Sequence, residues 1–127
     1  MSARMSKGAA LHSFMGSFGL TAYTTSSVPS DVILPYLTYE LTLGAWEDGE
    51  NNILINLWYY TESEAIPNAK VQQISEHIGL GGVTIPCEGG AIWIKRGRPF
   101  AQAVKDDTAP HLKRRLINVD VEYLTLN

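Results

Sequence analysis

Hydrophobic and polar positions alternate along residues 116–126. Ile117, Val119, Val121 and Tyr123 fall on one side, and Asn118, Asp120 and Glu122 on the other. A period of two predicts a β-strand with one buried face. Residues 34–45 alternate as well, with Leu37, Tyr39, Leu41 and Leu43 opposed to Tyr36, Thr38, Glu40 and Thr42. A polar turn over 47–52 joins them to 53–60, where Ile53, Ile55, Leu57 and Tyr59 oppose Leu54, Asn56, Trp58 and Tyr60. Both faces of that second strand are mostly apolar, which predicts a central strand or one covered on both sides. Shorter strands are predicted over 83–86 and 91–96. Cys87-Glu88-Gly89-Gly90 joins them as a tight turn, its glycines suited to positive φ.

A different spacing marks the helices. Leu11, Phe14, Met15 and Phe18 recur at i, i+3, i+4 and i+7, with Gly19 behind them. This predicts an amphipathic helix over 4–18. A second is predicted over 64–78. Ser63 is its N-cap, Glu64 and Pro67 lie in or near the first turn, Ile66, Val71, Ile74 and Ile78 form the stripe, and Gly79 is the stop. Residues 20–32 read as a loop with a turn at Val28-Pro29-Ser30-Asp31, and 97–112 as a long loop without period. Sixteen aperiodic residues suggest an arm used in contacts with partners, with Phe100 as its apolar anchor. The expected fold is one α+β domain over 1–127 with two helices, in the order α-β-β-α-β-β-β. Its sheet is mostly antiparallel, of about four to five strands.

A chain of 127 residues builds a core without staples. Its single cysteine, Cys87, permits no intrachain disulfide and suggests a reducing compartment. No apolar run approaches the ~20 residues of a membrane helix, and no secretory signal is expected. The net charge of −3 argues against a dedicated nucleic-acid binder. The charge is unevenly placed: residues 1–63 hold two basic and six acidic groups, and 64–127 hold eight and seven.

Catalytic signals are weak. His12, His77 and His111 form no HxH or HExxH pattern, and His12 and His77 lie in predicted helices away from any paired Cys, Asp or Glu at metal-ligand spacing. Cys87 has no adjacent histidine, and Gly79-Leu80-Gly81-Gly82 follows a helix where a phosphate loop would precede one. No enzyme activity, cofactor or metal is therefore expected. The candidate partner-docking residues are Lys95, Arg96, Arg98 and Phe100, with Lys113, Arg114 and Arg115. Antiparallel pairing of the last two strands would bring these basic clusters together at one end of the sheet. They would form either a solvated strand end or a docking patch for an acidic partner or for phosphates. Trp46, Trp58, Tyr59, Tyr60 and Trp93 lie mostly on strands, as core or as interface anchors.

Several segments carry a likeness. They are Ser17-Phe18-Gly19-Leu20, Val28-Pro29, Pro35-Tyr36-Leu37-Thr38-Tyr39-Glu40 and Leu57-Trp58-Tyr59. Gly89 through Gly97 (GGAIWIKRG), Pro99-Phe100-Ala101-Gln102 and Asn118 through Tyr123 (NVDVEY) complete the set. Together they resemble the small tail-completion proteins of long-tailed bacteriophages and prophages, described as minor capsid or tail-terminator proteins. The resemblance spans nearly the whole chain and carries no active site. It implies an α+β subunit that assembles into a ring, usually a hexamer. Such a ring caps the tail tube, stops its polymerisation and joins it to the head connector or neck protein, with genomic DNA passing through during ejection. It also implies a place in the virion, after assembly in the bacterial cytoplasm. Two other classes compete: a head-completion or connector-adapter neck protein, and a small ligand-binding or enzymatic α+β domain with a deep polar pocket.

Overall fold

The computed structural model describes residues 5–40, 50–105 and 109–125. The elements are α1 (Lys7–Gly16), β1 (Thr21–Thr24), a short 3-10 turn (Thr25–Ser27), β2 (Tyr36–Tyr39) and β3 (Glu50–Tyr60). They continue with α2 (Ala65–Ile78), β4 (Val83–Cys87), β5 (Gly90–Val104) and β6 (Leu112–Thr125). The fold is α+β with two helices, as expected, but the sheet is mixed and has six strands in the order β1-β2-β3-β6-β5-β4.

Two features correct the expected topology. The segment over 20–32 contains β1, which pairs parallel with β2, Ala22 standing opposite Leu37. Only Ala22 of its four residues is buried, so the strand carries almost no hydrophobic pattern. The second correction is the supposed loop over 97–112. β5 continues to Val104, and β6 begins at Leu112. Between them Lys105 and 109–111 are described. Asp106 and Asp107, with Leu41 and Leu43 of the expected earlier strand and Trp46 after it, lie outside the described residues.

An irregularity in β5 explains the lost period. β5 takes five steps from Arg96 to Ala101 while β6 takes two from Val119 to Ile117. The odd surplus switches which side chains face the core: Ile92 and Ile94 before the bulge, Ala101 after it. Gly97 sits at its entrance, where a Cβ would lie 2.8 Å from Asn118 Cβ. Asn118 donates its side-chain amide to the Pro99 carbonyl at 2.9 Å and holds the bulge against β6.

The helices form largely where expected. Ser6 caps α1, its hydroxyl accepting from the Ala9 N–H at 3.2 Å. Leu11, Phe14, Met15 and Phe18 are all buried. In α2 the N-cap is Glu64, not Ser63, and its side chain makes no capping bond. The buried stripe is Pro67, Ile74 and Ile78, while Ile66 is 51% exposed. Gly79 ends the helix at φ 77°, a conformation that glycine adopts without Cβ strain.

Both helices lie on the sheet face that presents Leu37, Ile55, Leu57, Ile94, Ile117, Val119 and Val121. Each such side chain contributes about 1.5–3 kcal/mol when fully buried. α1 packs against β1 and β4, the two outermost strands, so the sheet curls around it. α2 packs against β5 and β6. Lys70 of α2 donates to the Phe18 carbonyl at 2.6 Å, tying the helices together.

Cys87 is not part of the tight turn expected over 87–90. It closes β4 with its side chain fully buried, and the turn itself is Glu88-Gly89. Opposite it, a Cβ on Gly90 would stand 2.1 Å from the Leu124 carbonyl oxygen. Gly90→Ala should therefore cost about 1–3 kcal/mol through forced displacement of β6. Gly81→Ala, whose Cβ meets nothing within 4 Å, should stay within about 0.5 kcal/mol. Urea denaturation of the two variants against the parent measures both.

Candidate functional site

The seven candidate residues do not form one patch. Lys95 pairs opposite Asp120 and Arg96 opposite Val119, whereas Arg115 pairs opposite Ala103 and Arg114 opposite Val104. At ~3.3 Å per strand residue, Arg96 and Arg115 differ in level by about 13 Å along β6. The expected meeting of the clusters assumed that 97–112 loops out; the continuation of β5 separates them.

Lys113, Arg114 and Arg115 have structural partners. Arg115 is buried on the helix side of β6. It donates from Nε to Asn68 Oδ1 at 3.0 Å and from Nη2 to Glu64 Oε1 at 3.1 Å. Lys113 donates to the Pro110 carbonyl at 2.8 Å and lies 3.9 Å from Glu64. Arg114 points to the opposite face, where Nε donates to Asn56 Oδ1 at 2.7 Å and the guanidinium lies 5.0 Å from the Trp58 ring centre. Arg115 is thus part of the packing between α2 and the sheet and is not available to a partner.

Lys95, Arg96, Arg98 and Phe100 do come together. With Trp93 and Leu80 they line an open cleft of about 450 Å³ at the β5 bulge. Lys95 Nζ sits 4.4 Å from the Trp93 ring centre, a cation–π contact worth about 0.5–1 kcal/mol at an exposed site. Arg96 donates to the Ser75 hydroxyl at 2.9 Å, whereas Arg98 is exposed and has no charge partner among the described residues. Phe100 packs partly against the core. It is anchored within the bulge of a strand, not at the tip of an arm.

A second feature was only partly legible. On the face away from the helices, Tyr23, Tyr36, Trp58 and Arg114 form a row across β1, β2, β3 and β6. Tyr23 and Tyr36 meet edge to face at 6.1 Å, and Tyr36 stacks on Trp58 at 6.0 Å and 16°. Trp58 Nε1 donates to Thr38 Oγ1 at 3.0 Å, which fixes the indole. No described helix covers this face, and Tyr60 beside the row is 67% exposed. Trp58 and Tyr60 were visible as candidate anchors. The row was not, because it needs the strand order.

The histidines are accounted for locally. His12 Nδ1 and the hydroxyl of buried Tyr39 lie 2.9 Å apart. His77 packs on Phe14 and Phe18 with ring centres 5.7 and 5.5 Å away. His111 stands 3.7 Å from Glu62. Among the described residues no three His, Cys, Asp or Glu side chains gather as a metal site would require. No described helix is long and apolar enough to cross a membrane. Burial raises the pKa of Tyr36, Tyr39 and Tyr59. It pushes Tyr123 up to about 12, with the nearby Cys87 adding to the effect. Comparison of the chain with family models and with curated proteins finds no match.

Two outcomes follow from these environments. Arg115→Ala should cost about 2 kcal/mol or more, since it strips Glu64 and Asn68 of their partner and leaves a void. Arg98→Ala should change stability by no more than about 0.5 kcal/mol; thermal unfolding of both variants distinguishes them. The tyrosines set an alkaline limit. A folded pKa above the ordinary value means that the folded state holds the proton more tightly. The associated stability is complete below about pH 10 and is lost as pH rises through about 12 for Tyr123. Denaturant midpoints across that window should fall less steeply for Tyr123→Phe than for the parent.

Proposed function

We propose that this chain is a structural subunit of a bacteriophage tail. Copies of it form a homo-oligomeric ring, most simply of six, that caps the tail tube, ends its polymerisation and joins the tail to the head connector or neck protein. Genomic DNA passes through the ring without being held by it. The subunit works by contact and not by turnover, with no cofactor, in the neck region of the virion after assembly in the host cytoplasm.

Two supports stand behind this reading. One is the likeness of the segments around Pro35–Glu40 and Gly89–Gln102 to tail-completion proteins. The other, which carries it, is the aromatic row Tyr23-Tyr36-Trp58 on a sheet face that no described helix covers. Tyrosine and tryptophan contribute large rigid contact area at low entropic cost, and they dominate the centres of protein interfaces. A monomer gains little by arranging them on a face that no described helix covers. A subunit whose neighbours supply the second layer gains both stability and specificity.

Electron microscopy of tail tubes mixed with the purified protein tests the proposal. Rings seated on one end of each tube, with tube length no longer growing, are the expected result. Bare tube ends under conditions where the protein is folded would sink it. Rings bound instead to isolated portal or head vertices would move the protein to another layer of the neck.

A further inference from the structure

We infer that neighbouring copies of this chain join by a charge-matched, head-to-tail contact. The cationic cleft at the β5 bulge of one copy receives the acidic end of β2 of the next. This rests on the ring assembly proposed above and names the surfaces that would build it.

The first observation joins composition to topology. Residues 8–69 contain seven acidic residues and neither lysine nor arginine. They include β1, β2 and β3, which are contiguous in the sheet. Eight of the ten lysines and arginines follow residue 69, and Lys95, Arg96 and Arg98 lie on β5, in the other half of the sheet. One lateral half therefore lacks basic side chains, and the other displays them. Glu62 and Glu64 lie beside His111, Lys113 and Arg115, so part of the acidic charge is matched internally. Asp31 and Glu40 are exposed on the acidic half, and Arg98 is exposed on the basic one.

The second observation is one of level. The Glu40 N–H donates to the Leu54 carbonyl; Leu54 pairs with Asn118; and Asn118 holds Gly97 and Pro99 of the bulge. Glu40 and Arg98 consequently occupy the same transverse row of the sheet, on opposite sides of β3 and β6. Two copies placed side by side can match these rows by rotation, with no shift along the strands. A head-to-tail contact without such a shift closes into a ring when its rotation divides a full turn, whereas one with a shift winds into a filament.

The chemistry of the cleft suits this occupant. Lys95, Arg96 and Arg98 supply the charge, and Trp93, Phe100 and the 97% exposed Leu80 supply apolar surface for burial. Like surfaces would set cation against cation, so a two-fold pairing of clefts is disfavoured and the unlike pairing selected.

The test is sedimentation of the full chain at low and high salt. It compares the parent, the cleft variant Lys95→Glu/Arg98→Glu, the acidic-end variant Glu40→Lys, and an equimolar mixture of the two variants. The parent should associate at low salt and dissociate as salt screens the contact. Each variant alone should associate about tenfold more weakly or worse. The mixture should regain association, because each variant retains the surface that the other needs. Circular dichroism verifies folding, and Arg98→Glu alone replaces the cleft variant if Lys95→Glu disturbs the β5–β6 pairing. A parent that stays monomeric at low salt, variants that associate like the parent, or a mixture that does not recover would each overturn the contact. So would salt-sensitive binding of duplex DNA that the cleft variant abolishes. Rings on tube ends that both variants still form would refute this contact and leave the proposed function standing. Charge-dependent association with bare tube ends would do the reverse.

Discussion

Everything in this fold hangs on the register of β6. It pairs with β3 over eleven positions and with β5 on its other side, and so joins two half-sheets that are otherwise separate. Ile117, Val119 and Val121 point to the helices, while Asn118, Asp120 and Glu122 point away. A slip of one residue would bury the polar set and expose the apolar one. Arg115 marks the same register from within the helix-facing side, because only this alignment delivers its guanidinium to Glu64 and Asn68. The curl around α1, the place of α2 and the position of the bulge all inherit this alignment.

The bulge is where packing and exposed charge meet. It lengthens β5 against β6, returns the later half of that strand to the core with opposite parity, and leaves Arg98 outside the ladder. Residues that serve packing and residues that present charge thus lie within a few positions of one another. Bulges commonly re-aim side chains in this way and are treated as features of a fold, not defects.

Much of this was legible in the sequence. Leu11, Phe14, Met15 and Phe18 marked α1, Gly79 marked the end of α2, and the alternation over 116–126 marked β6. In each case one buried face imposes a period on local residues. What escaped depends on distant pairing. β1 buries only Ala22, and its partner β2 lies beyond a turn and a loop, so no local pattern could disclose it. The second half of β5 was masked because the bulge breaks its alternation. That error carried into the candidate site: with a loop assumed over 97–112, Lys95–Arg98 and Lys113–Arg115 appeared neighbours. Of the seven candidates, Lys95, Arg96, Arg98 and Phe100 share a cleft, Arg115 is interior, and Lys113 and Arg114 are held by nearby groups. The aromatic row was divided among three strands and became visible only with their order.

The strand order also bears on biosynthesis. β1, β2 and β3 leave the ribosome before β4 and β5, and β6 follows all of them. A growing chain therefore holds two unjoined half-sheets, each with an edge destined for a strand not yet made. Their apolar face can be sealed only when β6 enters between them. Until then the chain has neither its finished core nor the transverse row that aligns Glu40 with the bulge. Completion of β6 is thus the step that closes the sheet: a polypeptide that stops short of it lacks the strand on which both halves depend.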